Sequence, residues 1–286
     1  MKVMLLGANG QLGSDIADTL KVDHQVIALT HSDLDVTDAK RLDELLTEHK
    51  PDVLINTTAY HQVELCEQNP ETAYAINAIA PAEMATQCRE RGIRFMHFST
   101  DYVFDGNTAI PYLETDIPKP LNVYGASKWK GEQDVLNANP DAMVIRVSGL
   151  YGSHPCRAKN GLNFVQTMLK LARERGSVKV VADEFVSPTY TRNIAQQVYA
   201  LLDSNVKGII HATSTGYCSW YEFAREIFDY TKTPVELSKA NSDDFPAKVP
   251  RPKYSVLENH VLDAHLLNRM EHWKVALHQY LDEIKE

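Results

Sequence analysis

The chain opens on a short apolar run, Lys2-Val3-Met4-Leu5-Leu6, that passes without a break into Gly7-Ala8-Asn9-Gly10-Gln11-Leu12-Gly13, and the amphipathic stretch Asp15 to Leu20 follows at once. The order is strand, tight turn, helix. Glycine is needed where such a turn takes positive φ, where backbone approaches a pyrophosphate, and where helix packs close to strand. The free amides at the start of the helix then form an anion site. A Gly-x-x-Gly-x-x-Gly spacing alone is weak evidence; placed between a first strand and an amphipathic helix it is strong.

The same alternation continues along the chain. Strand-like runs at Gln25 to Leu29, Val53 to Asn56, Arg94 to Phe98 and Met143 to Val147 are separated by helical runs at Ala39 to His49, Pro81 to Arg91 and Tyr124 to Ala138. This pattern predicts an α/β fold: a Rossmann-like, doubly wound parallel sheet with helices on both faces. At 286 residues the chain exceeds the usual size of one core. We therefore expect a dinucleotide-binding domain over residues 1–151 and a smaller, mainly substrate-binding domain over 152–286, with 187–215 returning to the first.

The second half predicts a polar loop over the site from Ser153 to Gly161, a helix from Phe164 to Arg175, a short strand from Val178 to Val181, a helix from Thr191 to Ser204 and a strand from Gly208 to Ala212. Ser219 and Glu222 form a capping box before a helix whose Phe223, Ile227 and Phe228 share one face. Three prolines make Ser242 to Pro252 irregular, and the run ends in cations.

The chemistry starts from Tyr124 and Lys128, which a helix places on one face. A phenol titrates near pH ~10, so acting as an acid or base near neutrality asks for a drop of roughly three units, about 4 kcal/mol. An adjacent ammonium such as Lys128 is expected to supply much of it. Thr100 stands at the carboxyl end of the run ending in Phe98, the edge where open α/β sheets bind ligands, and its hydroxyl can hold a carbonyl oxygen beside the tyrosine. At the end of the second strand Thr30, His31 and Ser32 offer neutral donors and no acid, which favours NADP(H) while leaving NAD open.

A formal net charge of −9 argues against a nucleic-acid partner. No apolar run approaches the ~20 residues of a membrane span, and Met1 leads directly into the first strand, so we expect a cytoplasmic protein. Cys66, Cys88, Cys156 and Cys218 have neither disulfide-framework nor zinc spacing, and His260 and His265 diverge around their helix, so no metal is expected. An anionic substrate on so acidic a chain needs local cations, and Arg251, between Pro250 and Pro252 with Lys253 beside it, is the best candidate for a diphosphate.

Taken together, Gly7-x-x-Gly10-x-x-Gly13, Asp35-Val36-Thr37-Asp38, Asn56-Thr57-Thr58-Ala59-Tyr60, Asn77-Ala78, Ser99-Thr100-Asp101-Tyr102-Val103-Phe104 and Tyr124-Gly125-x-Ser127-Lys128 resemble the extended short-chain dehydrogenases/reductases. More closely, the chain is similar to the dTDP-4-dehydrorhamnose reductase family, and the likeness runs on through Asn163-Phe164-Val165, Ser187-Pro188-Thr189-Tyr190 and Arg251-Pro252-Lys253-Tyr254-Ser255-Val256-Leu257. The resemblance implies NADPH-dependent reduction of the C4 ketone of a nucleotide-linked deoxysugar, with dTDP-4-dehydro-L-rhamnose the first expectation. Thr100, Tyr124 and Lys128 take the catalytic roles. Cofactor contacts are implied for Gly7, Asn9, Gly10, Gln11, Leu12, Gly13, Thr30, His31, Ser32, Thr58, Ala59, Tyr60, Asn77 and Ser99, besides Tyr124 and Lys128, with Asp35 and Val36 meeting the adenine. Substrate contacts are implied for His61, Thr100, Asp101, Tyr124, Asn163 and Arg251, and a homodimer is compatible with the family.

Two departures stand out. The segment His61-Gln62-Val63-Glu64 differs from the more usual Thr-x-Val-Asp, and Gly149 occupies a place where many members carry a tryptophan against the sugar, which suggests added room there. Two other activities share this fold and the Tyr-x-x-x-Lys pair. A dehydratase needs Asp-Glu after the threonine, whereas Asp101 is followed by Tyr102; an epimerase needs only internal hydride shuttling. A catalytically silent, dinucleotide-binding regulatory subunit is the alternative of a different kind.

Overall fold

Alternation within the first strand decides how the layers form. In the computed structural model, which describes residues 1–156, 161–244 and 249–285, β1 (Lys2–Leu6) sends Val3 and Leu5 into one buried cluster and Met4 and Leu6 into another. A strand buried on both faces requires a covering layer on each. The first face is covered by α1 (Gln11–Leu20), through Ile16 and Leu20, and the second by α2 (Ala39–His49), through Leu42, Leu45 and Leu46.

The remaining strands extend β1 to both sides. β2 (Gln25–Leu29) pairs with one edge of β1 and β3 (Val53–Asn56) with the other, all in parallel. This divergence opens a crevice at their carboxyl ends. After β3 come α3 (Val63–Gln68), α4 (Pro70–Tyr74), a π-helical turn at Ala75–Ile79 and α5 (Ala80–Arg91). β4 (Arg94–Thr100) pairs with β3, α6 (Val123–Ala138) crosses back, and β5 (Met143–Val147) pairs with β4.

The next half places short pieces around this sheet: β6 (Leu150–Tyr151), α7 (Phe164–Arg175), β7 (Ser177–Val181), β8 (Phe185–Val186) and β9 (Thr189–Tyr190). Then α8 (Thr191–Leu202) buries Ile194, Val198 and Leu201 in the same cluster as α1, and β10 (Gly208–His211) pairs with β5. The finished sheet runs β2-β1-β3-β4-β5-β10, six parallel strands. The chain closes with β11 (Cys218–Ser219), α9 (Trp220–Thr231), β12 (Glu236–Ala240), α10 (His260–Ala264) and α11 (Trp273–Glu283). A third cluster, built on Val165, Phe223, Ile227, Phe228, Trp273 and Tyr280, joins α7, α9 and α11.

The capping box at Ser219 and Glu222 is present, and the apolar face expected for that helix is the buried one. Five strands escaped the sequence reading, the two-residue β6, β8, β9 and β11 and the longer β12. β12 pairs in parallel with β7 although its residues Glu236, Ser238 and Lys239 are exposed, since backbone pairing at a sheet edge needs no apolar side chain. The irregular run expected from Ser242 begins with a 3₁₀ turn at Ser242–Asp244, and its residues 245–248 lie outside the described residues. Among the described residues no helix is long and apolar enough to cross a membrane.

Candidate active site

A single cavity of about 1190 Å³ lies over the carboxyl ends of β1, β2, β3, β4 and β5 and is bounded on the far side by α7, β7, α9 and the segment around Arg251. That exceeds the roughly 300–1,000 Å³ of sites for one small molecule. Its walls include residues from the glycine turn, from the Tyr124 helix and from the carboxyl-terminal half, so one space joins all three.

The glycine turn is held by close backbone approach. Gly7 has φ +77°, and a Cβ on Gly13 would stand 2.2 Å from the Gly7 carbonyl oxygen, so neither place admits a larger residue without rearrangement. Gly10 caps α1 with no side-chain hydrogen bond, which leaves the first-turn amides for a ligand. Asn9 and Leu12 line the cavity with the glycines. Gln11 lines it too, yet its Nε2 is already engaged, donating to the carbonyls of Gly152 and His154 at 3.3 and 3.0 Å. It tethers the start of the loop expected over the site, whose residues 157–160 lie outside the described residues; Cys156 lines the cavity.

At the end of β2, Thr30 and His31 line the cavity and Ser32 does not. No acid from residues 30–33 lines the cavity, yet one returns to this strand end. The chain turns back after Thr30, and the carboxylate of Asp33 accepts from the Thr30 amide at 2.8 Å and from its hydroxyl at 2.7 Å. The hydroxyl's hydrogen bond, then the amide's, holds Asp33 below the usual carboxylate range. Ser32 spends its hydroxyl on Thr30, 2.7 Å away. Asp35 and Val36 do line the space, with Asp35 fixed by accepting from the amide and hydroxyl of Thr37.

Beyond β3, Thr58, Ala59 and His61 face the cavity, whereas Tyr60 and Asn77 stand behind its wall. Asn77 is fully buried on the π-helical turn. Its Oδ1 accepts from the Tyr60 amide at 2.9 Å, and its Nδ2 donates to the Tyr60 carbonyl at 2.9 Å and the Ser127 hydroxyl at 3.0 Å. The role expected of Asn77 as a cofactor contact is therefore corrected: every polar atom of its amide is committed to holding the loop against α6.

The catalytic candidates converge on the floor. α6 begins at Asn122, whose Oδ1 accepts from the Gly125 amide at 2.8 Å. A Cβ on Gly125 would come within 2.1 Å of the Tyr102 carbonyl oxygen, so only glycine lets the helix approach the turn after β4 this closely. That approach brings Tyr124 to Thr100, whose hydroxyl hydrogen-bonds the phenol, and packs the Tyr102 ring edge-on to Tyr124 at 5.6 Å. The one hydroxyl hydrogen of Thr100 is directed at Asp101, 2.9 Å away, and Asp101 accepts from Ser148 at 2.8 Å. Burial raises the Asp101 carboxyl despite these donors. Ser99 lines the cavity with a buried hydroxyl that has no partner.

The electrostatics differ from expectation. Burial pushes the Tyr124 phenol above its ordinary value, more than the Thr100 hydrogen bond lowers it. Lys128 is engaged by the sheet: its Nζ donates to the Phe98 carbonyl at 2.6 Å and lies 3.2 Å from His97 Nε2. Burial lowers Lys128 to about 8. Desolvation by α6 and β4 outweighs the mutual attraction that the i,i+4 spacing promised.

Two further readings are corrected on the carboxyl-terminal wall. Asn163 does not face the cavity; it caps α7, its Oδ1 accepting from the Gln166 amide and its Nδ2 donating to the Gly152 carbonyl at 2.9 Å and the Tyr280 hydroxyl at 2.8 Å. Gly149 opens no extra room. Its φ is +56°, and a Cβ there would meet Val186 Cγ2 at 3.0 Å and Pro188 Cα at 3.2 Å. Arg251 does line the cavity, paired with Glu64 of α3 at 2.6 Å. The sequence reading missed Phe164, Trp220 and Phe223, aromatic rings on this wall that join the site only because α7 and α9 fold over it.

A dinucleotide turn, a Thr-Tyr-Lys group beside it and a carboxyl-terminal wall define an extended short-chain dehydrogenase/reductase. The comparisons narrow the class. The model of the RmlD substrate binding domain matches residues 1–286. A crystal structure of a dTDP-4-dehydrorhamnose reductase from Clostridium acetobutylicum superposes with a TM-score of 0.94 at 38% identity, covering 100% of both chains. The dTDP-4-dehydrorhamnose reductase of Bacillus anthracis, solved in complex with NADP, gives 0.93 at 34% identity over 99% of each chain. A dTDP-4-keto-6-deoxy-D-glucose reductase of Streptomyces niveus is 36% identical over 96% of this chain and 95% of its own. The chain belongs to the dTDP-4-dehydrorhamnose reductase family.

Proposed function

We propose that this protein reduces the C4 ketone of a dTDP-linked deoxysugar with NADPH. The observation that carries the reading is the joining, in one cavity, of the uncapped α1 turn and the Thr100–Tyr124 pair. The turn fits a pyrophosphate, because its first-turn amides lack a side-chain cap and Gly13, where a Cβ would collide with the Gly7 carbonyl, lets the helix start close against the turn. Gly7, Asn9, Gly10, Leu12 and Gly13 would hold the diphosphate end, Thr30 and His31 the adenosine ribose, and Asp35 and Val36 the adenine, all facing the same space. When bound, NADPH supplies the hydride.

The chain's own residues manage the proton. Burial keeps Tyr124 in its acid form at neutral pH, which is the form that protonates a ketone oxygen as it becomes an alkoxide. Thr100 shares a hydrogen bond with the phenol and can hold that oxygen as charge develops. Asp101 does not serve as a second acid/base, being held by the hydroxyls of Thr100 and Ser148. Arg251, between prolines and facing the same cavity, would take the sugar-nucleotide diphosphate, and the identity and NADP complex of the relatives support the substrate class and cofactor. dTDP-4-dehydro-L-rhamnose is the first substrate to try.

The test is oxidation of NADPH by wild type and Tyr124→Phe with a dTDP-4-keto-6-deoxy sugar. The variant should bind NADPH normally and turn over at least roughly a hundredfold more slowly. Near-normal turnover would remove Tyr124 as the acid.

A further inference from the structure

Beneath Lys128 runs a buried row of hydrogen bonds that the reaction as described does not use. His97 of β4 and Asn56 of β3 are both fully buried. Asn56 Nδ2 lies 3.1 Å from His97 Nδ1, and His97 Nε2 lies 3.2 Å from Lys128 Nζ. At the other end Asn56 Oδ1 accepts from the Thr58 amide at 3.0 Å and the Thr58 hydroxyl at 2.6 Å.

The polarity of this row is determined from the end that cannot change. A backbone N–H only donates, so the atom facing the Thr58 amide must be the Asn56 oxygen, and the amide nitrogen must face His97. That nitrogen donates, so His97 Nδ1 accepts. A neutral imidazole with an accepting Nδ1 carries its hydrogen on Nε2. His97 is neutral, since burial holds it well below the ordinary histidine range. The N–H of Nε2 therefore points at the lysine nitrogen. An ammonium has no lone pair to receive it, whereas an amine has one and can still donate to the Phe98 carbonyl, 2.6 Å away.

We propose that His97, oriented by Asn56 and Thr58, is a positioning residue that sets the proton on Lys128, stabilising its neutral amine relative to that of an ordinary lysine and so making this lysine's proton exchangeable near neutrality. The inference rests on the reading that Lys128 serves Tyr124. In each reduction Tyr124 gives its proton to the substrate oxygen; the Lys128 ammonium returns one to the phenolate, and the lone pair left on Nζ accepts from His97 Nε2–H until water reprotonates it. An ordinary lysine, titrating near pH ~10.4, would release its proton too rarely for this role. The other groups around Lys128 agree. Tyr124, one turn earlier on α6, and Asp101 in the turn after β4 are both held toward their neutral forms by burial. Glu132, one turn later, favours the ammonium by its charge, and both its oxygens accept from Arg146 of β5, at 2.8 and 2.7 Å.

The test is heteronuclear NMR on the full-length, ligand-free protein with labelled histidine and lysine. We expect the His97 ring as the Nε2–H tautomer and Lys128 titrating at pH ~8 or below, against ~10.4 for a free side chain. An Nδ1–H tautomer, or a Lys128 midpoint above pH ~8, overturns the proposal. Asn56→Asp should reverse the row, because its second carboxylate oxygen accepts from Nδ1–H and leaves Nε2 to accept from the ammonium. The Lys128 midpoint and the alkaline limb of kcat should then move up by at least about one unit, a tenfold change in the proton equilibrium. Should Asn56→Asp fail to fold, His97→Gln offers an amide oxygen to the ammonium and predicts the same shift; an unmoved midpoint in the folded variant overturns the proposal. Failure of the functional reading is separate, showing as normal turnover in Tyr124→Phe with the NMR result unchanged.

Discussion

At the scale of single residues, chemistry follows from which atoms are already spoken for. Asn77 and Asn163 carry the same amide as a ligand-binding asparagine would, yet both are fully engaged, one with Tyr60 and Ser127, the other with Gly152, Gln166 and Tyr280. Asp33 shows the converse, a side chain four residues past the end of β2 that returns to the strand end through two hydrogen bonds to Thr30. Its carboxylate is held against Thr30, which faces the cavity where the adenosine ribose would sit, and a negative charge near a ribose phosphate weakens binding. We predict that Asp33→Asn, which keeps an acceptor for the Thr30 amide, tightens NADPH severalfold and leaves NADH nearly unchanged, as read by fluorescence titration. Equal effects on both cofactors would place the ribose phosphate elsewhere.

At the scale of elements, helix starts locate the site. α1 starts without a side-chain cap and so keeps its amides for a ligand, whereas α7 starts with a complete capping box from Asn163 and Gln166. The second therefore contributes stability rather than binding. Asn163→Ala removes a cap, at about 1 kcal/mol, and strands buried partners, for a total of roughly 2–3 kcal/mol. We predict a correspondingly lower urea midpoint with a nearly unchanged Michaelis constant for the nucleotide sugar; a large rise in that constant without destabilisation would return Asn163 to the substrate. α6 works differently. Asn122 caps it and Gly125 lets it touch the turn at Tyr102, and this contact aligns Tyr124 with Thr100.

At the scale of the whole molecule, the cavity exists because the carboxyl-terminal half folds back over the sheet, and Arg251 pairs across it with Glu64. Side-chain exposures of 39% and 42% put this pair among those worth at most about 1 kcal/mol, so stability does not explain it. A diphosphate would compete with Glu64 for the guanidinium. Arg251→Ala should raise the Michaelis constant for the nucleotide sugar roughly tenfold with little change in kcat, and Glu64→Gln should lower it. No change in either constant would put the anchor elsewhere. The sequence by itself determined the alternation of strands and helices, the glycine turn and the candidate set Thr100, Tyr124 and Lys128, because periodicity, glycine spacing and i,i+4 placement are local properties of the chain. Only the tertiary structure decided that β10 pairs beside β5, that Lys128 meets His97 and the Phe98 carbonyl, that Asp33 turns back to Thr30, that Gly149 is filled by Val186, and that Phe164 and Trp220 reach the cavity. Those outcomes depend on desolvation and on contacts between segments far apart or folded back, where the competing partner for each polar atom is set by packing and not by its neighbours in sequence.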